Sequence, residues 1–104
     1  MPNKLQYMLL ERPGDRDFAL EMLGLYGKMS NATLIDTYNS AWKVGIVGSH
    51  AQAVSYYALH VAFTKRFEKS PILIEDKIIL SLTDPIKVDG ESWDYNYSTL
   101  NTTL

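Results

Sequence analysis

The sequence predicts an α+β domain: a three-helix core with a long central third helix, followed by a small C-terminal antiparallel sheet or hairpin. Three observations point there. Residues 49–67, SHAQAVSYYALHVAFTKRF, are the one stretch both long enough and apolar enough to fill the middle of a domain. Two shorter upstream segments repeat apolar residues at helical spacing between capping residues. Beyond Pro71 the pattern changes to alternation with period two, ending in an Asp-Gly pair.

In the central stretch, a step of about 100° per residue puts Ala51, Val54, Tyr57, Ala58 and Val61 on one face. Tyr56, Leu59 and Phe63 fall on the opposite face, mixed with Gln52, Ser55 and His60. A helix that is apolar on two sides must be covered on two sides. That places it at the centre of the fold.

Residues 4–10, KLQYMLL, fit either an edge strand or a first helical turn, because so short an apolar run carries no decisive period. The turn pair Pro13-Gly14 breaks it. Asp15 or Asp17 then caps a helix over about residues 16–26, carrying Phe18, Leu20, Met22, Leu23 and Tyr26 and closed by Gly27 with Lys28. Ser30 or Asn31 caps a second helix over about 32–44, in which Leu34, Ile35, Tyr38, Ala41 and Trp42 recur at helical spacing. The corner Gly45-Ile46-Val47-Gly48 delivers the chain to Ser49, the N-cap of the central helix.

Lys69-Ser70-Pro71 stops that helix. In ILIEDKIILSL the positions Ile72, Ile74, Ile78, Leu80 and Leu82 stay in phase across Asp76. A single strand bent or bulged at Glu75-Asp76 is favoured over a hairpin bent there. Pro85 ends it, and Ile86-Lys87-Val88, Asp89-Gly90 and Glu91-Ser92-Trp93 read as a hairpin with a two-residue type I′ loop pairing Ile86 with Trp93. Residues 1–94 are expected to form the globular domain. Residues 95–104, polar, uncharged and aromatic, are expected to be a C-terminal interaction arm.

Composition sets bounds on function. A chain of 104 residues buries about two thirds of its unfolded surface and needs neither disulfide nor metal to fold. With no cysteine, thiolate catalysis, redox pairs and Cys-ligated zinc are excluded. No apolar run approaches the roughly 20 residues of a membrane-spanning helix, so a soluble, unprocessed chain without membrane contact is expected. The net charge of −2 is unevenly spread. Residues 31–71 hold Lys43, Lys65, Arg66 and Lys69 against Asp36 and Glu68, whereas residues 72–104 hold Lys77 and Lys87 against six carboxylates. Such complementary patches suit a protein partner or a second copy rather than nucleic acid.

The signatures of catalysis are missing. His50 and His60 are ten residues apart, not one turn apart, and no H-E-x-x-H pattern occurs, so no metal and no cofactor are expected. Ser49 and His50 are neighbours on a helix and point apart. Gly24 to Ser30 is too short for a phosphate loop. Gly45-Ile46-Val47-Gly48 has the letters of a G-x-x-G clamp, without the charge to hold a nucleic-acid backbone. Glu75, Asp76, Asp89, Glu91 and Asp94 sit in or beside turns, where carboxylates are solvated. A non-enzymatic protein with no small-molecule substrate is expected.

GIVGSHAQAVSYYALHVAF, with KRFEKSPI following, resembles short uncharacterised proteins encoded by tailed phages. The resemblance covers about residues 34–72 and brings no functional residue. It implies a virion or phage accessory component, located in the cytoplasm or the virion. The expected function is structural or assembly work through protein–protein contacts, with Tyr56, Leu59, Phe63, Trp93, Tyr95 and Tyr97 as the contact residues, because aromatic side chains bury large areas at interfaces. The alternative is a winged helix-turn-helix that presents Ser49, Gln52 and Tyr56 to DNA bases and Lys65 and Arg66 to phosphates. Its recognition face carries little phosphate-neutralising charge.

Overall fold

The structure is a computed structural model, and residues 4–6, 12–45, 49–75 and 79–96 are described, the first three by their backbone alone. In chain order the elements are β1 (Lys4–Gln6), α1 (Asp15–Gly27), α2 (Asn31–Val44), α3 (His50–Phe67), β2 (Ile72–Glu75), β3 (Ile79–Leu82), β4 (Ile86–Asp89) and β5 (Ser92–Tyr95). The architecture is α+β, with an antiparallel sheet of order β1-β3-β2 and a separate two-stranded ribbon of β4 and β5. Residues 4–6 are therefore an edge strand, while residues 7–10 lie outside the described residues.

Each helix begins where local chemistry satisfies its first N–H groups. Ser30 and Ser49 cap α2 and α3 as expected, their hydroxyls accepting from the N–H of Thr33 and of Gln52, each at 3.1 Å. α1 departs from expectation. Its cap is Gly14 at φ 88°, and Asp15 is the first helical residue. Arg12 to Asp15 form a turn closed by the Asp15 N–H on the Arg12 carbonyl, 3.1 Å, with Pro13 second and a left-handed glycine third, the signs of a type II turn. The Asp15 carboxylate turns back to accept from the Arg12 N–H at 2.9 Å.

The helix ends also differ from expectation. α1 runs into Lys28 in a right-handed conformation, so Gly27 supplies no left-handed cap. Glu68 fills the left-handed position that ends α3, at φ 62°. The Arg66 guanidinium closes α1 from outside: it donates to the carbonyls of Met29 (2.6 Å), Gly27 (3.2 Å) and Tyr26 (3.3 Å). These are carbonyls at the C-terminal end of α1 and in the loop beyond it, of which that of Tyr26 also accepts from the Met29 N–H at 3.1 Å.

α3 is the centre of the core. Tyr56, Leu59, Ala62 and Phe63 are buried against Leu34, Ile35 and Tyr38 of α2 and against Ile72, Leu80, Leu82, Ile86 and Trp93 of the strands. Phe63 is the hub, edge-on to Tyr38 at 6.0 Å and to Trp93 at 6.3 Å between ring centroids. Edge-to-face pairs at these distances add about 0.5–1.5 kcal/mol beyond the area buried. Lys69 lies 4.5 Å over the Trp93 ring and fixes its outer side.

The strands require two corrections. Residues 72–75 and 79–82 are two antiparallel strands rather than one bent strand, with Ile72 opposite Leu82 and Ile74 opposite Leu80. The final ribbon turns at Gly90-Glu91, not Asp89-Gly90, so Ile86 faces Tyr95 and Trp93 faces Val88. Gly90 has positive φ and Glu91 does not, which is the sign pattern of a type II′ loop rather than type I′. Tyr95 is thus the last residue of a paired strand, and the Asn96 N–H donates to the Pro85 carbonyl at 2.8 Å. The ordered fold extends past residue 94. Residues 97–104, most of the expected arm, lie outside the described residues.

Candidate functional site

α3 has more apolar surface than the core uses. With Tyr56, Leu59 and Phe63 turned inward, the strip carrying Tyr57 and Val61 is left half-buried at the surface. α1 packs alongside through Ala19 and Tyr26, which are buried, while Leu20 on the same helix stays 56 % exposed. Small side chains at Ala19 and Ala58 leave a groove of about 290 Å³ between the helices, with Leu20, Leu23, Tyr57 and Val61 on its walls and Arg16 at one end.

Two further depressions join this groove. One continues from Leu23 to Gly27, Lys65 and Arg66; the other crosses α3 from Tyr57 and Val61 to His60, Thr64 and Ile74 of β2. Shared residues Leu23, Tyr57, Val61 and Lys65 make the three one furrow. Its floor is apolar, and its charged lining residues, Arg16, Lys65 and Arg66, are all cationic. His60 is fixed on its margin: Nδ1 lies 2.7 Å from the Ile72 carbonyl and 3.0 Å from the Ser70 hydroxyl. A carbonyl only accepts, so Nδ1 carries the proton and the ring orientation is set by the β2 backbone.

At the far end of α3, His50 Nε2 meets Asp15 Oδ1 at 2.7 Å. This contact joins the first turns of α1 and α3. Partial burial opposes ionisation of Asp15, but the Arg12 N–H and the His50 ring outweigh it and hold its carboxyl below the usual range. Burial also pushes the Tyr26, Tyr38 and Tyr56 hydroxyls up, so all three are neutral hydrogen-bonding groups at ordinary pH. Among the described residues no group of three His, Asp or Glu side chains is placed to hold a metal ion, and no helix is long and apolar enough to cross a membrane.

The contact residues expected from sequence are mostly elsewhere. Leu59, Phe63 and Trp93 are at most 3 % exposed and Tyr56 is 8 % exposed, so these four side chains pack this domain's own core and are corrected as partner contacts. Tyr95 is half-buried and its hydroxyl meets Thr83 Oγ1 at 3.0 Å; Tyr97 lies outside the described residues. The DNA-reading set is also largely engaged within the fold. Ser49 caps α3, Gln52 donates to the Tyr56 hydroxyl at 3.0 Å and to the Gly45 carbonyl at 3.3 Å, and Arg66 closes α1. Of the five only Ser49 and Lys65 are exposed, and the Ser49 hydroxyl is taken up by the cap.

Sequence reasoning did identify the Tyr57 and Val61 face of α3 but assigned the partner to the opposite one. It missed Arg16, Leu20 and Leu23. Their spacing of four and three residues is the stripe that would have marked a second, outward apolar edge on α1. Comparison of the chain with protein-family models, with curated proteins and with solved structures finds no match.

Proposed function

We propose that the chain is a non-enzymatic structural or assembly subunit that works through protein–protein contacts made at the α1–α3 furrow. The observation that carries this reading is the continuous apolar furrow from Arg16 to Lys65, in a domain where, among the described residues, every aromatic side chain but Phe18 lies in or against the core and Tyr57 alone of them also lines the furrow. An apolar strip ringed by charged groups is the surface a protein partner covers, since burying it removes apolar area from water while the rim charges orient the approach. A phage virion or accessory setting, in the cytoplasm or the particle, goes with this reading through the resemblance of residues 34–72.

The test is positional. A photo-cross-linking phenylalanine analogue in place of Tyr57 should give discrete adducts in the producing cells, and Leu20→Glu should abolish them without changing the melting temperature. The same analogue at Asp36, exposed on α2, should give none. If Tyr57 yields no adduct, or Asp36 yields the same ones, the furrow is not a contact surface.

A further inference from the structure

The furrow is apolar and cationic, and the complementary surface stands on the same molecule. The β4–β5 ribbon ends in an exposed tip, Asp89-Gly90-Glu91, with Asp94 exposed on its second strand. Against these three carboxylates the ribbon sets one cation, Lys87. Val88, beside the tip, is 50 % exposed although its cross-strand partner Trp93 is buried. The tip therefore offers an apolar side chain flanked by carboxylates, and the furrow offers an apolar floor flanked by Arg16 and Lys65.

Resting on the furrow's role as a contact surface, we propose that its partner is a second copy of this chain, whose β4–β5 tip seats Val88 on the Tyr57, Val61 and Leu20 floor with Asp89 and Glu91 toward Arg16 and Lys65. The backbone supports a firm probe. The tip is a two-residue turn on a paired ribbon, and the Asn31 side chain donates to the Glu91 carbonyl at 3.3 Å. The seat is firm as well, because α1 is held to α3 at one end by Asp15 and His50 and at the other by Arg66. Two preorganised surfaces meet with little ordering cost.

The contact joins unlike surfaces. It ends when every furrow and every tip is filled, in a ring or a reciprocal pair, and otherwise it propagates as a filament. That is the behaviour expected of an assembly subunit.

The experiment is a charge exchange on the full chain, read by sedimentation velocity over a concentration series at low and high salt. The wild type should self-associate, less at high salt. Asp89→Lys with Glu91→Lys should weaken self-association by about tenfold or more, as should Arg16→Glu with Lys65→Glu, because each opposes like charges across the contact. All four side chains are exposed, so both variants should keep the wild-type circular dichroism and melting temperature. Mixing the two variants should restore association, because each reversed tip now meets a reversed furrow. A wild type that stays monomeric throughout overturns the second-copy proposal, as does association that the reversals leave unchanged or that mixing does not restore. The Tyr57 adducts separate this from the wider reading. Adducts at multiples of the chain's own mass support the second copy, adducts of any other mass overturn it while leaving the furrow a contact surface, and no adducts overturn both.

Discussion

Asn39 on α2 holds both backbone polar groups of Ile86 at the start of β4: its Nδ2 donates to the Ile86 carbonyl at 2.7 Å and its Oδ1 accepts from the Ile86 N–H at 2.9 Å. One side-chain amide thus takes the place of a neighbouring strand. The adjoining residues of the link are held the same way, the Tyr38 hydroxyl donating to the Asp84 carbonyl at 2.9 Å and the Trp42 indole to the Thr83 carbonyl at 3.2 Å. Helix α2 therefore replaces the sheet ladder for residues 83–86. It fixes the direction in which the ribbon and its acidic tip leave the domain.

Asn39→Ala should cost about 2–3 kcal/mol in denaturant unfolding, because it leaves a buried N–H and a buried carbonyl of Ile86 without partners. Asn39→Asp should be destabilising too, since a carboxylate cannot donate to the Ile86 carbonyl. A loss below about 0.5 kcal/mol for the alanine variant would show that the amide is not the anchor of the ribbon.

Core and furrow residues separate by their response to truncation. Phe63→Ala should cost about 3–5 kcal/mol and much of the fold's cooperativity, because Phe63 is fully buried and meets the rings of Tyr38 on α2, Trp93 on β5 and Phe67 one turn on in its own helix. Leu20→Ala should stay within about 0.5 kcal/mol, since most of that side chain is already in water. Comparable losses for the two would contradict the assignment of inside and outside on these helices.

The Asp15 carboxyl makes a definite demand on acid stability. Its folded pKa lies below the ordinary value, so between the two the unfolded chain binds more protons and stability decreases as pH is lowered. Its contribution is complete above the usual carboxylate pKa of about 3.9 and disappears as pH drops through the lower folded value. Asp15→Asn should be less stable than wild type at neutral pH, and the two denaturation midpoints should converge as pH falls below about 4. Parallel curves through that range would show that Asp15 does not carry the effect.

Two left-handed positions should respond in opposite directions. Glu68 ends α3 at φ 62°, a conformation that costs a residue with a Cβ about 1–2 kcal/mol, so Glu68→Gly should raise stability by up to about 1 kcal/mol after the added freedom of the unfolded chain. Gly45 ends α2 at φ 83° and ψ −175°, a region essentially confined to glycine. Gly45→Ala should cost about 1–3 kcal/mol. Thermal melts of the two variants, read against wild type, check both signs.

What the sequence determined by itself is the kind and order of the elements after the first strand. Ser30 and Ser49 cap their helices because a hydroxyl at that position satisfies an N–H two or three residues on, whatever surrounds it. Helical spacing and period-two alternation are likewise short-range properties, and they placed α1, α2 and α3 to within a residue or two. Where two folds share one local pattern, sequence had nothing to decide with. An antiparallel strand pair that sets residue 72 opposite 82 and 74 opposite 80 keeps even positions on one face, as a continuous strand would, so the phase that suggested a single strand was equally that of β2 and β3. The ribbon register shifted for the same reason: moving the loop by one residue keeps the faces alternating and changes only which side chains meet. The two apolar faces of α3 were both visible, but their difference was not. Tyr56, Leu59 and Phe63 went inside because α2 and both sheets supply enough area from distant parts of the chain to cover them, whereas α1 alone cannot close over Tyr57 and Val61. That choice, and with it the furrow, belongs to contacts between residues tens of positions apart, whose partners no local spacing records.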